Sequence, residues 1–275
     1  MKLGIGSFAY RWSVGRPYYR PENPMTVDRL IDRCVAHNVK AVLLCNNYSL
    51  HEFADEDLRV IRSRLDKEGI TVETGSRGTD FDYFKRMLEV SKILGAKILR
   101  IGWDMDRNTD REGLQRQVKN GIDTISALMP TAHEYGVSIG IENGKLNDIY
   151  EVKEIIEGVN DPMFGCVLDT CNSTCFLTKT EEAVRVLAPY AKSVHFKDYI
   201  VKLDPRGDII YGVPLGKGIV DFKKMKEILE ENHYEGNVFL ELYIDRLDDH
   251  AETVRFEEEC VRQSVAFAHE ELNLF

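Results

Sequence analysis

Four ionisable residues each end a short apolar run: Glu142 in VSIGIE, Asp169 in FGCVLD, His195 in KSVH and Glu241 in NVFLE. They lie 27, 26 and 46 residues apart: two strand-plus-helix repeats, then one enlarged by an inserted loop. Alternate side chains of a strand face opposite ways, so Glu142 turns away from Val137, Ile139 and Ile141. The same phase sets Asp169, His195 and Glu241 against Leu168, Val194, Phe196 and Leu240. Three carboxylates brought together repel and tend to hold protons. A divalent cation removes that conflict, because it takes carboxylate oxygens and a neutral imidazole nitrogen. Three oxygen donors and one nitrogen suit Mn²⁺ first, with Mg²⁺, Co²⁺ or Zn²⁺ as alternatives. Four protein ligands on an octahedral ion leave two positions for substrate. Any one of these residues alone reads as a strand-end polar group beside a helix; four in matching phase read as metal ligands.

Other polar residues fall near this set. Lys197, two residues past His195, shares its inward phase and brings an ammonium over the ion. There it can polarise a carbonyl, hold a carboxylate or move a proton; the plainer reading pairs it with Asp198 or with neighbours of Glu241. Trp12 and Trp103 follow the first and fourth apolar runs, placed to stack on a substrate's apolar face or to pack under loops. Gly216-Lys217-Gly218 has N–H groups to offer an anionic substrate end, although a plain loop before a helix near Asp221 is the simpler reading. Glu73 and Arg100 face inward on the third and fourth runs, deeper than the ion, and are expected to form a structural ion pair. The other histidines (37, 51, 133, 233, 250 and 269) all fall on helices or loops.

What must position these residues is a repeated unit of amphipathic helix, glycine or asparagine stop, and apolar strand. Val27, Leu30, Ile31, Cys34 and Val35 trace one helical face, and Asn38 ends it before VKAVLLC. Gly69, Gly95, Gly136 and Gly236 are expected to stop later helices in the left-handed conformation, with Pro130 kinking the longest. Eight strands alternating with helices, and no linker rich in Pro, Ser or Gly, predict one α/β domain over residues 1–275, a (β/α)₈ TIM barrel. GIGSFAY lacks the third glycine of a dinucleotide-binding loop, which disfavours an open sheet. In a barrel the four ionisable strand ends meet at the C-terminal mouth, where barrel enzymes do their chemistry.

Composition narrows the function. The 275 residues are 43% hydrophobic and 30% charged, which excludes a largely disordered chain. A net charge of −10 argues against a nucleic-acid surface. No apolar run approaches the ~18 residues of a membrane span. MKLGIGSFAY lacks the apolar stretch of a secretory signal, and the six cysteines read as reduced core thiols, so the expectation is cytoplasmic. Cys171 and Cys175 have the spacing of half a zinc site, without a second pair.

IENG, LDTCN, VHFKD, PLGKGIVDF and FLELY, in this order and spacing, resemble the xylose isomerase-like barrel superfamily, whose members are often labelled sugar-phosphate isomerase/epimerase. The resemblance covers essentially the whole chain. It implies one divalent metal on Glu142, Asp169, His195 and Glu241, with Glu142 and Glu241 also exchanging protons with a substrate carbon. It departs from the endonuclease branch, where a histidine replaces Asn172 and further histidines follow strands three and four, here TGSRG and IGWDM. Asn172 is instead assigned to substrate, with Trp12 and Trp103. The expected activity is metal-dependent isomerisation or epimerisation of a keto- or aldo-sugar or sugar-acid derivative through an enediolate. The alternative is a metal-dependent dehydratase, decarboxylase or lyase of an oxo-sugar acid, with Lys197 as the acid. A retired, metal-free sugar-binding barrel is the reading from another class. The expected partner is a small sugar or sugar acid, and homo-oligomers are common among such barrels.

Overall fold

The computed structural model describes residues 1–16, 18–205 and 207–275. Strands and helices alternate along the chain. In order they are β1 (Lys2–Gly6), α1 (Arg11–Val14), α2 (Val27–Ala36), β2 (Ala41–Leu44), α3 (Asp55–Glu68), β3 (Thr71–Gly78), α4 (Phe81–Leu94), β4 (Ile98–Trp103), α5 (Arg111–Tyr135) and β5 (Ser138–Glu142). There follow α6 (Ile149–Val159), β6 (Phe164–Asp169), α7 (Thr180–Leu187), β7 (Ala191–Phe196), β8 (Asp198–Asp204), β9 (Gly207–Val213), α8 (Phe222–Glu231), β10 (Asn237–Leu240) and α9 (His250–Leu272). β1 to β7 and β10 close into a parallel barrel in the order β1-β10-β7-β6-β5-β4-β3-β2. No helix among the described residues is long and apolar enough to cross a membrane.

Local chemistry sets the helix ends. Asp80, Asp110, Asp221 and Asp249 each accept a backbone N–H of the following first turn, and Asp148 with Glu151 forms a full capping box on α6. Gly69, Gly95 and Gly136 close α3, α4 and α5 in the left-handed conformation, as expected. Gly236 does not do this for α8. The left-handed residue there is His233, at φ 57°, and Gly236 instead gives way to Tyr234, whose ring would meet an added Cβ at 2.6–2.9 Å. α5 runs from Arg111 to Tyr135 with Pro130 inside it. The long step between β7 and β10 holds more than a loop: β8 and β9 pair there as an antiparallel hairpin.

Strand alternation divides the core in two. Leu3, Ile5, Val42, Leu44, Leu99, Ile101, Ile139, Ile141, Leu168, Val194 and Leu240 pack outward against the helices in one large cluster. Ala41, Leu43, Cys45 and Phe239, with Phe8, form a second small cluster inside the barrel. Phe239 fits there because β1 offers only Gly4 beside it, where a Cβ would lie 2.4 Å from the ring. The interior phase is therefore the one carrying Glu142, Asp169, His195 and Glu241. All four are buried.

One interior expectation fails. Glu73 and Arg100 do not pair, because the strand stagger separates them. Glu73 is level with Leu43 of β2, whereas Arg100 is level with Gly75, one inward layer nearer the mouth. Glu73 accepts from Asn237 Nδ2 at 2.7 Å across the barrel floor. Arg100 reaches up to Glu142.

Candidate metal centre

Each member of the cluster is held by the end of its own strand. Asp169 closes β6, and its Oδ1 accepts the N–H groups of Cys171 (2.8 Å) and Asn172 (2.9 Å), which tightens the turn that follows. Asn143, next to Glu142, binds the Asp169 backbone from both sides: its Oδ1 accepts from Asp169 N at 2.7 Å, and its Nδ2 donates to Asp169 O at 2.9 Å. Thr170 Oγ1 accepts from Lys197 N and donates to Lys197 O, both at 3.0 Å, locking β6 to the residue past β7. These ties use one Asp169 oxygen and leave Oδ2, which meets no backbone donor, to the Lys197 ammonium.

One donor atom from each of Glu142, Asp169, His195 and Glu241 lies within 4.8 Å of all the others, and this is the one such group found among the described residues. From His195 Nδ1 the distances are 2.9 Å to Glu142 Oε1, 3.4 Å to Glu241 Oε1 and 4.0 Å to Asp169 Oδ2. Ligands ~2.1 Å from an octahedral ion lie about 3 Å apart when adjacent and about 4.2 Å apart when opposite. The donor set fits a divalent ion, and Asp169 Oδ2, free of backbone donors, faces the other three side chains. His195 Nε2, the ring nitrogen away from this set, is buried without a partner.

Two cations press on the cluster. Lys197 Nζ lies 2.6 Å from Asp169 Oδ2 and 2.8 Å from Glu241 Oε2, inward as its phase predicts, and its partners are these two acids rather than Asp198. Arg100 Nη2 donates to Glu142 Oε2 at 2.5 Å. Burial would raise the Glu142 pKa, but Arg100, His195 and Lys197 outweigh it and hold the carboxyl well below its usual range. Burial is likewise outweighed at Glu241, by Lys197 and then His195, so that carboxyl also titrates low. Burial disfavours the Lys197 ammonium, yet Asp169, Glu241 and Glu142 together raise its pKa well above the ordinary value. Glu142 and Glu241 are thus ionised and the lysine charged at neutral pH. The arginine cannot give up its proton, whereas the lysine can.

A cavity of ≈70 Å³ opens over the cluster, with Glu142, Glu241, Lys197, Trp103, Asn172 and Tyr243 among its walls. Beside it lies a second of ≈210 Å³, which shares Lys145, Asn172 and Tyr243 with the first and is also lined by Trp12. A larger cavity, ≈640 Å³, lies between the segments after β1 and β2 and includes none of the four cluster residues. Size therefore does not mark the chemistry here. Trp103 reaches the metal cavity with little of its surface, being 2% exposed and packed on Phe84. Trp12 is pinned by its indole N–H to Ile244 O at 3.0 Å and meets only the neighbouring cavity. Asn172 lines both cavities. The amides near Lys217 are already committed: Gly218 N donates to Asp198 Oδ2 at 2.8 Å and Lys217 N to Pro214 O, so the plain-loop reading holds.

Residues 24–268 match the family described as Xylose isomerase-like TIM barrel. The chain belongs to that family. The 3-oxo-isoapionate decarboxylase of Pectobacterium atrosepticum is 21% identical over 98% of this chain and 95% of its own length. D-psicose 3-epimerase, solved in the presence of D-fructose, superposes with a TM-score of 0.75 at 17% identity, covering 98% of each chain. The IOLI protein, solved with a zinc atom, gives 0.73 at 18% identity over 98% of this chain and 97% of its own.

Sequence reasoning missed several residues of the site. Asn143 and Tyr243 had a signal, since each adjoins or shares the phase of a cluster glutamate. Arg11, Arg16 and Lys145 lie on connections after β1 and β5 and carry no periodicity to read.

Proposed function

We propose that this chain is a divalent-metal-dependent enzyme that isomerises or epimerises a sugar or sugar-acid derivative by moving a proton at the carbon beside a carbonyl. The observation carrying this reading is the convergence of four donor side chains within 4.8 Å, with both glutamates on the wall of one cavity. Glu142, Asp169, His195 and Glu241 would hold the ion, which when bound supplies Lewis acidity toward a carbonyl and its neighbouring hydroxyl. One glutamate removes the carbon-bound proton, leaving an enediolate, and the other returns a proton to the opposite face. Lys197, 2.8 Å from Glu241, can hand that carboxylate a proton or donate one to the substrate oxygen. Burial keeps water away from the reacting carbon. The superposition on D-psicose 3-epimerase supports the barrel on which this chemistry is proposed.

A specific observation favours a second reading. Arg100 occupies Glu142 Oε2 and holds that carboxyl ionised, which makes the two glutamates unequal as bases. The decarboxylase relative spans 98% of the chain. In that reading the bond to a substrate carboxylate breaks, its electron pair enters the adjacent carbonyl, CO₂ leaves, and Lys197 protonates the resulting enediolate carbon. Turnover of a panel of ketoses, aldoses and 3-oxo sugar acids by Mn²⁺-loaded protein in D₂O separates the two. Isomerase or epimerase action yields an isomer carrying solvent deuterium at one carbon, whereas decarboxylation releases CO₂. An isomer formed without deuterium would contradict the two-glutamate relay.

A further inference from the structure

Four cations surround the ring of Tyr243. Lys145 Nζ lies 3.8 Å from its centroid, Arg11 Cζ 4.1 Å, Lys197 Nζ 5.0 Å and Arg16 Cζ 5.9 Å. Lys197 is neutralised by the cluster acids. Arg11, Arg16 and Lys145 make no ion pair with any carboxylate among the described residues. Arg11 is the extreme case. It is 5% exposed, its one side-chain hydrogen bond among the described residues is a long 3.4 Å contact to Tyr18 Oη, and its Nε is buried without a partner. Arg16 Nε is orphaned in the same way. Burial, and then the like charge of Arg16, lower the Arg11 pKa from its ordinary value. Arg11 is the buried member, Arg16 being half-buried and Lys145 exposed, and the carboxylate whose charge reaches Arg11, Glu257, is hydrogen-bonded to the Trp12 and Ser13 amides and not to the guanidinium. A buried guanidinium with no hydrogen-bonded carboxylate is costly, and a functional site is where such a cost is tolerated.

Their position suits a ligand. Arg16 and Lys145 line the cavity over the metal cluster, and Arg11 and Lys145 line the adjoining larger one. A sugar whose reacting carbons sit at the cluster can continue past Tyr243 into the second cavity, where Asp245, the one acid on the wall among the described residues, is exposed. We propose that Arg11, Arg16 and Lys145, gathered round Tyr243, form a subsite for an oxyanion group, carboxylate or phosphate, at the end of the substrate remote from the reacting carbons. The orientation of that substrate rests on the metal-centre reading above; the subsite itself does not. Guanidinium groups suit either anion because their N–H pairs bind two oxygens at once.

The test is calorimetric titration of Mn²⁺-loaded protein with three five-carbon probes that differ at one end: ribitol, D-ribonate and D-ribitol 5-phosphate. At least one anionic probe binds about 10- to 100-fold more tightly than ribitol, as one or two charge-assisted hydrogen bonds imply, and the anion preferred names the source. Added KCl erodes the advantage, and Arg11→Gln removes it. Arg16→Gln, at a less buried position, keeps the test open if Arg11→Gln does not fold. Equal affinities for all three probes, or an advantage that survives both substitutions because ribonate simply chelates the ion, would overturn the subsite. Asp169→Ala separates the two proposals. An anion advantage that persists in that ion-free variant upholds the subsite whatever becomes of the metal reading.

Discussion

Lys197 and a divalent ion compete for the same carboxylate oxygens. The ammonium sits 2.6 Å from Asp169 Oδ2 and 2.8 Å from Glu241 Oε2, so it partly occupies the electrostatic place that the ion fills. Removing it therefore has opposite effects on binding and on chemistry. Lys197→Met is expected to bind Mn²⁺ at least as tightly as the wild type while losing about 10²- to 10⁴-fold in kcat, the usual worth of a positioned proton donor. Titration calorimetry and steady-state kinetics on the same preparation check this. Normal turnover would remove Lys197 from the chemistry, and weakened Mn²⁺ binding would mean that it supports the ligands instead of competing with them. Arg100 has no such freedom. It holds Glu142 ionised with a charge that does not titrate, and so gives the site one fixed base and one adjustable one.

At the scale of elements, the sequence makes legible whatever repeats. Eight apolar runs and their glycine stops forecast the barrel, and strand parity alone placed Glu142, Asp169, His195, Lys197 and Glu241 on the inward face, where the structure has them buried. Parity gives the face of a residue but not its height. That is why Glu73 and Arg100, correctly read as inward, were wrongly paired: relative height depends on the stagger between β3 and β4, which no periodicity records. The β8–β9 hairpin was legible only as excess length, and the cations on connections not at all, since loops bring residues together by tertiary contact. The corrected position of Glu73 has a measurable consequence. Burial raises its carboxyl from the ordinary 4.5 to about 7, against the lowering effect of Ser193 and Asn237. Between those two pH values the folded chain keeps a proton that the unfolded chain releases, so stability falls as pH rises through this window and levels off above it. The full loss is about 3 kcal/mol on that shift. Glu73→Gln keeps the tie to Asn237 and lacks the titration. Urea unfolding should find it equal to the wild type near pH 4.5 and more stable by up to about 3 kcal/mol at pH 8. An identical pH dependence in both proteins would contradict this account.

The whole molecule is a rigid frame that carries charge to one end. Interior glycines and small residues let the strands close, the outward faces bury the apolar surface under the helices, and the mouth gathers three acids, a histidine and several cations. Net charge and local charge differ in sign around the substrate cavities: a chain at −10 overall surrounds Tyr243 with positive groups. The central claim is that the four strand-end side chains are one metal site. Mn²⁺ binding followed by electron paramagnetic resonance tests it most directly, comparing the wild type with Asp169→Ala and with circular dichroism as the check that the barrel persists. About one ion per chain is expected in the wild type and none in the folded variant. Stoichiometric binding in Asp169→Ala, or none in the wild type, would contradict it.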